Sequence, residues 1–128
     1  MASIEHFKDD IKIINLVLPR IIPEGDWLET KILSIIIKVI EKKQKFVLYI
    51  DASPIVKMPV MSSISTMVKF MKKYEGVLPG ILQCTSIVAL SKLSRGFLKM
   101  LFKVKPPVAP LKIVKNKQEG YEFLDSIC

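Results

Sequence analysis

Four polar side chains of this 128-residue chain have the types and positions that a regulatory binding site needs. Asp51 ends the apolar run KFVLYID, and Ser53 follows it by two residues. Ser62 and Ser63 come later, near the predicted start of a helix. A carboxylate at the end of a parallel strand is placed to contact a ligand, and a phosphate at a helix N-terminus is stabilised by the helix dipole. These residues are therefore our candidates for a partner-binding or phosphorylation site.

Asp51, Ser62 and Ser63 also have a plainer structural interpretation, which we favour. A short acid such as Asp51 commonly accepts hydrogen bonds from the backbone of the turn that follows it. Ser62 and Ser63 would then be N-cap serines that satisfy the free backbone N–H groups of the helix.

A basic stripe on the helix predicted over residues 91–103 suggests a different kind of surface. Its members, at helical spacing, are Lys92, Arg95, Lys99 and Lys103. Leu98 and Phe102 lie beside the stripe, and we expect them to be exposed. Basic residues beside exposed apolar side chains suit an anionic membrane surface. The alternative is an ordinary amphipathic helix with a lysine-coated outer face.

The formal net charge of +8 at pH 7 is concentrated in the middle of the chain, where residues 31–117 hold seventeen basic residues and three acidic ones. Such an excess attracts nucleic acid, an anionic membrane or an acidic protein. Eighteen of the twenty basic residues are lysine, however, whereas proteins that bind phosphates depend more on arginine. No nucleic-acid motif is present, so we do not expect nucleic acid to be the partner. AT-rich codon usage would also produce a lysine-rich surface.

Residues that could support catalysis are few. His6 is the one histidine, and the five glycines form no phosphate-binding loop. Cys84 begins an apolar strand, where a small core residue is expected, and Cys128 is the terminal residue. We therefore expect no catalytic residue, no cofactor and no metal ligand.

Apolar periodicity predicts a single α/β domain over residues 1–128. Two strands surround the polar turn at residues 8–10, and near-continuous apolar runs predict strands at residues 45–51 and 83–90, with a short strand at 110–114. Helices are predicted at about residues 27–43, 60–75, 91–103 and 118–127. The order ββαβαβαβα implies a mixed, mostly parallel central sheet flanked by about four helices.

Three stretches of the chain resemble a STAS domain, the fold of anti-sigma-factor antagonists. They are INLVLP with PEGDW, FVLYIDAS, and PVAPLKIVKNKQEGYEFL. The resemblance implies a non-enzymatic regulatory module that binds a protein partner near the second helix and the loop 53–63. In those antagonists a kinase phosphorylates a serine in an Asp-Ser-Ser-Gly-like turn, whereas this chain has Pro-Val-Met-Ser-Ser at residues 59–63. The layout also resembles, more weakly, the CRAL-TRIO lipid-binding fold.

The start of the chain, MASIEHFKDD, is acidic and has no apolar segment typical of a secretory signal. The longest apolar run is also shorter than the roughly 20 residues of a membrane span. We expect a cytoplasmic protein, with membrane association as an alternative. The positive mean hydropathy leaves self-assembly, for example as a homodimer, as a third hypothesis.

Overall fold

Five strands form one mixed sheet in the computed structural model of the chain, which describes residues 2–127. The strands are β1 (Ala2–Lys8), β2 (Ile11–Val17), β3 (Phe46–Asp51), β4 (Leu82–Val88) and β5 (Leu111–Val114). They lie side by side in sequence order; β1 is antiparallel to β2, and every other neighbouring pair is parallel. The predicted α/β class, the mixed and mostly parallel sheet, and the predicted order of elements along the chain are confirmed.

The helices connect the parallel strands and cover both faces of the sheet. A π-helical segment, Glu29–Leu33, continues into α1 (Ser34–Glu41). The others are α2 (Met61–Lys73), α3 (Leu78–Ile81), α4 (Lys92–Val104) and α5 (Lys117–Ile127). The short helix α3 follows α2, and Pro79 is tolerated there because it lies in the first turn.

Strand β3 is the middle strand of the sheet, between β2 and β4. Its side chains alternate between two covered faces. Phe46 and Leu48 face α1 and α3, whereas Val47 and Tyr49 face α5, and all four are buried. Full burial of one such side chain contributes about 1.5–3 kcal/mol. The apolar run KFVLYID therefore belongs to an interior strand, as predicted.

The two faces of the sheet have covers of different thickness. Helices α1, α2 and α4 cover one face, where two clusters of buried aliphatic and aromatic side chains meet. Helix α5 alone packs on the other face, against β3, β4 and β5. It approaches closely at Gly120: a Cβ built on this glycine would lie 3.0 Å from Cε1 of Tyr49 and 3.1 Å from Oγ of Ser86.

Candidate functional site

The parallel strands β2 to β5 end at a common edge, which we call the carboxyl edge. Backbone hydrogen bonds join the segments that leave it. The N–H of Ala52 donates to the carbonyl of Val88 at 2.9 Å, and the N–H of Val56 donates to the carbonyl of Arg20 at 2.8 Å. The connections after β2, β3 and β4 therefore form one continuous surface.

The connections at this edge bury one apolar side chain and expose its neighbour. Ile22 and Ile55 are buried in the cluster beneath α4, whereas the adjacent Ile21 and Val56 are more than half exposed. Exposed apolar side chains also occur at the start of α2 and at the end of β4. We call the exposed set the apolar rim; it consists of Ile21, Val56, Met58, Met61 and Leu90.

Large apolar side chains that are exposed to solvent are concentrated in the apolar rim. Its five members are half of the ten large apolar side chains that are exposed among residues 2–127, and Met61, at 72%, is the most exposed of the ten. Single exposed apolar residues are ordinary, whereas a group at one place marks an interaction surface. Open α/β sheets also bind their ligands at this edge.

Asp51 and Ser53 form a closed turn at the base of the apolar rim. Oδ1 of Asp51 accepts hydrogen bonds from the backbone N–H of Ser53 at 3.0 Å and from its hydroxyl at 2.6 Å. A bond to a carboxylate is among the stronger hydrogen bonds in proteins. The favoured interpretation of Asp51 as an acceptor within its own turn is confirmed, and Ser53 itself is exposed.

The two serines of α2 lie in different surroundings. Ser62 is exposed, one residue after Met61, whereas Ser63 is only 5% exposed. The N-cap of α2 is Val60, whose side chain makes no capping bond, so the prediction that these serines cap the helix is wrong. Val60 is the extended residue before the helix, and the helix begins at Met61, one residue before Ser62. Both serines therefore lie within the first turn, and only Ser62 is accessible to a modifying enzyme.

The basic stripe lies on the outer face of α4. All four of its members, Lys92, Arg95, Lys99 and Lys103, are exposed. Nε of Arg95 also donates to the carbonyl of Ala89 at 3.0 Å, which fixes its side chain against the end of β4.

The apolar residues expected beside the basic stripe are not exposed. Leu98 is 4% exposed, and the prediction of its exposure is wrong; Phe102 is half-buried. Leu98 packs into the core together with Phe97 and Leu101, because the apolar face of this helix is wider than a single row. Membrane binding through α4 stays a prediction, without Leu98 as its anchor.

A polar network connects α5 to the first two strands on the opposite face of the sheet. The hydroxyl of Tyr121 donates to Oδ1 of Asn15, and Nδ2 of Asn15 donates to Glu5 at 2.9 Å. The rings of Tyr121 and Tyr49 meet edge to face with centroids 5.1 Å apart. These contacts hold α5 in place on the sheet.

Both tyrosines of this network keep their protons at neutral pH. Burial raises the pKa of Tyr49 to about 12, and the charge of Asp51 and the phenol of Tyr121 act in the same direction. Burial, and then the charge of Glu5, raise the pKa of Tyr121, while its hydrogen bond to Asn15 opposes the rise. Neither pKa is lowered, as the pKa of a phenol activated as a base or nucleophile would be.

Residues that could hold a metal are not brought together. Among residues 2–127, no group of three histidine, cysteine, aspartate or glutamate side chains could hold an ion. His6 is exposed on β1, and Cys84 is completely buried on β4. Cys128 lies outside the described residues. Within the same range, no helix is both long enough and apolar enough to cross a membrane.

Two of the five members of the apolar rim were not predicted from the sequence. The loop 53–63 was expected to bind a partner, and it contains Val56, Met58 and Met61, but Ile21 and Leu90 were not singled out. The sequence feature that could have identified Ile21 is its position beside a basic residue, Arg20, just after a buried strand.

Comparisons of this chain with protein-family models, with curated proteins and with solved structures find no match. The functional assignment therefore depends on the geometry and charge of the carboxyl edge.

Proposed function

We propose that this chain is a non-enzymatic interaction module that binds a protein partner through the apolar rim. The single observation that carries the proposal is the clustering of five exposed apolar side chains at the carboxyl edge. In a protein complex, a few side chains that are buried near the centre of the interface carry most of the binding energy. The connections that carry these side chains are hydrogen-bonded to one another and anchored by buried neighbours.

The charges beside the apolar rim indicate the chemistry of the partner. Arg20 precedes Ile21, and Lys57 stands between Val56 and Met58; all of these are exposed. Lys92 follows Leu90 by two residues and is exposed as well. Oδ1 of Asp51 is occupied by Ser53, and the exposed acids of the connection after β2, Glu24 and Asp26, lie three and five residues beyond Ile21. The partner that fits is a peptide segment with apolar anchors flanked by aspartate or glutamate, because complementary charges favour its association.

The STAS resemblance supports the same surface. The element order agrees with the resemblance, and the loop 53–63 contributes three members of the apolar rim. A phosphate on Ser62 would stand next to Met61 and would repel an acidic partner while leaving the helix intact. We propose that this serine, rather than Ser63, regulates binding.

The proposal is testable without knowledge of the natural partner. A random 12-residue peptide library on phage is selected against the folded chain. We expect enriched sequences with aromatic or aliphatic anchors and flanking acids. The double variant Val56→Ser with Met61→Ser should bind a selected synthetic peptide at least tenfold more weakly, since loss of interface anchors costs more than about 1.4 kcal/mol.

A matched control separates the apolar rim from general surface hydrophobicity. Val104 and Ile127 are 59% and 53% exposed but lie outside the rim, so Val104→Ser with Ile127→Ser should leave peptide affinity unchanged. Equal losses in both double variants, or enrichment of basic peptides, would contradict the proposal. Sedimentation could instead show a dimer that Met61→Ser disrupts. That result would assign the apolar rim to contact with a second copy of the chain and overturn the proposal that it binds a different protein.

A further inference from the structure

An apolar cavity of about 180 Å³ lies between the sheet and the helices α1, α2 and α4. Thr85 supplies the one polar side chain among the described residues that line it. Packed protein interiors contain few voids larger than a water molecule, and an apolar cavity of this size stays dry and accepts apolar ligands. The cavity is thus suited to an apolar guest.

The opening of the cavity is located by the lining residues that solvent reaches. Most of them come from the second half of α2, the end of α4 and the segment before β5. These are Met67, Phe70, Met71, Phe102, Pro107, Val108 and Ala109; Leu111 at the start of β5, and Leu18 and Ile50 near the carboxyl edge, are also accessible. This mouth lies toward the edge where the parallel strands begin, at the end of the sheet opposite to the apolar rim.

The charge at the mouth is positive. Nζ of Lys105 forms an ion pair with Glu75 that connects the ends of α4 and α2. Glu75 is the one acid between residues 52 and 118, whereas Lys72 and Lys103 are exposed on the same two helix ends. The side chain of Lys105 is 20% exposed, so its ammonium group is partly shielded, and along the chain Lys105 lies between Phe102 and Pro107, which both line the cavity. An anionic head group would be stabilised there.

We propose that the cavity binds one medium-chain fatty carboxylate, with its acyl chain inside and its head group on Lys105. A cavity of about 150 Å³ accommodates the six carbons of benzene. By the same proportion, this cavity holds an alkyl chain of roughly six to eight carbons. The carboxylate pairs with Lys105 in place of Glu75, so the ion pair that connects the two helices opens when the ligand binds.

The test is calorimetric titration of the folded chain with hexanoate, octanoate and decanoate below their micelle concentrations. We expect the affinity to rise about fourfold for each methylene up to octanoate, because each buried methylene contributes a fixed gain. The rise should then level off, since a longer tail protrudes into solvent. Octanol, which lacks the charge, should bind at least tenfold more weakly than octanoate.

Variants at the mouth decide the site. Lys105→Gln should weaken octanoate about tenfold, while Lys115→Gln, at an exposed lysine after β5, should change nothing. Ala109→Trp should abolish binding while circular dichroism stays native. Equal octanoate affinity in all three variants would overturn the proposal, as would binding to phosphatidylglycerol vesicles with none to monomeric octanoate.

Discussion

The close approach of α5 to the sheet makes a quantitative prediction at Gly120. Alanine in a helix interior is favoured over glycine by up to about 1 kcal/mol. At Gly120, however, the added methyl group would lie 3.0 Å from Cε1 of Tyr49 and 3.1 Å from Oγ of Ser86, both in the buried interior. Overpacking of a core costs about 1–3 kcal/mol. We expect the overpacking in Gly120→Ala to lower the free energy of unfolding by this amount, which is offset in part by the higher helix propensity of alanine.

Gly96 supplies the matched control, because it lies within α4 and a Cβ there would meet nothing within 4 Å. Gly96→Ala should raise the free energy of unfolding by about 0.5–1 kcal/mol. The difference between the two variants is then the overpacking cost, about 1–3 kcal/mol. Urea unfolding at pH 7, followed by circular dichroism, measures both. Equal stabilisation by the two substitutions would refute the packing of α5 on Tyr49 and Ser86.

Three further predictions concern Tyr49, α4 and α2. Since the pKa of Tyr49 is raised to about 12, the stability due to its protonated phenol is complete below about pH 10 and is lost as the pH rises to 12. In that range the free energy of unfolding of the wild type should fall by up to about 3 kcal/mol more than that of Tyr49→Phe; parallel curves from denaturant titrations would contradict this. Leu98→Asp should destabilise by more than about 4 kcal/mol, because it buries a charge, and Lys99→Asp by no more than about 0.5 kcal/mol in thermal melts. Ser62→Asp should keep native stability and weaken binding of the selected acidic peptide, because Ser62 is exposed and Ser63 is buried. A destabilised Ser62→Asp with a stable Ser63→Asp would exclude the proposed regulatory site.

The strands and their order were predictable because their signals are local. The run KFVLYID is apolar on both faces, and such a strand is stable only in the middle of a covered sheet. The polar turn at residues 8–10 likewise separates two extended segments, and β1 pairs with β2 on either side of it. Local propensity and global topology agree in these segments, so the sequence pattern is sufficient to predict the strands.

The site was less predictable because exposure depends on neighbours that are distant in sequence. Leu98 stands beside a row of lysines, yet it is buried, since the sheet beneath α4 is broad enough to cover a second apolar row. Ile21 and Ile22 are identical in type, and only the docking of their loop decides that the first is exposed and the second is buried. Ser62 and Ser63 differ in the same way. Helical periodicity gives the direction of a side chain relative to its helix, but the surface that meets it comes from tertiary packing.

The apolar rim as a partner surface is tested most directly by nuclear magnetic resonance. The ¹⁵N-labelled chain is titrated with the selected acidic peptide, and shifts of the backbone amides are followed residue by residue. We expect the largest changes at residues 20–22, 55–62 and 90–92, with none at the cavity mouth around residues 105–109. Perturbations centred on the cavity mouth, or spread evenly over the lysine-rich surface, would contradict the assignment of the carboxyl edge.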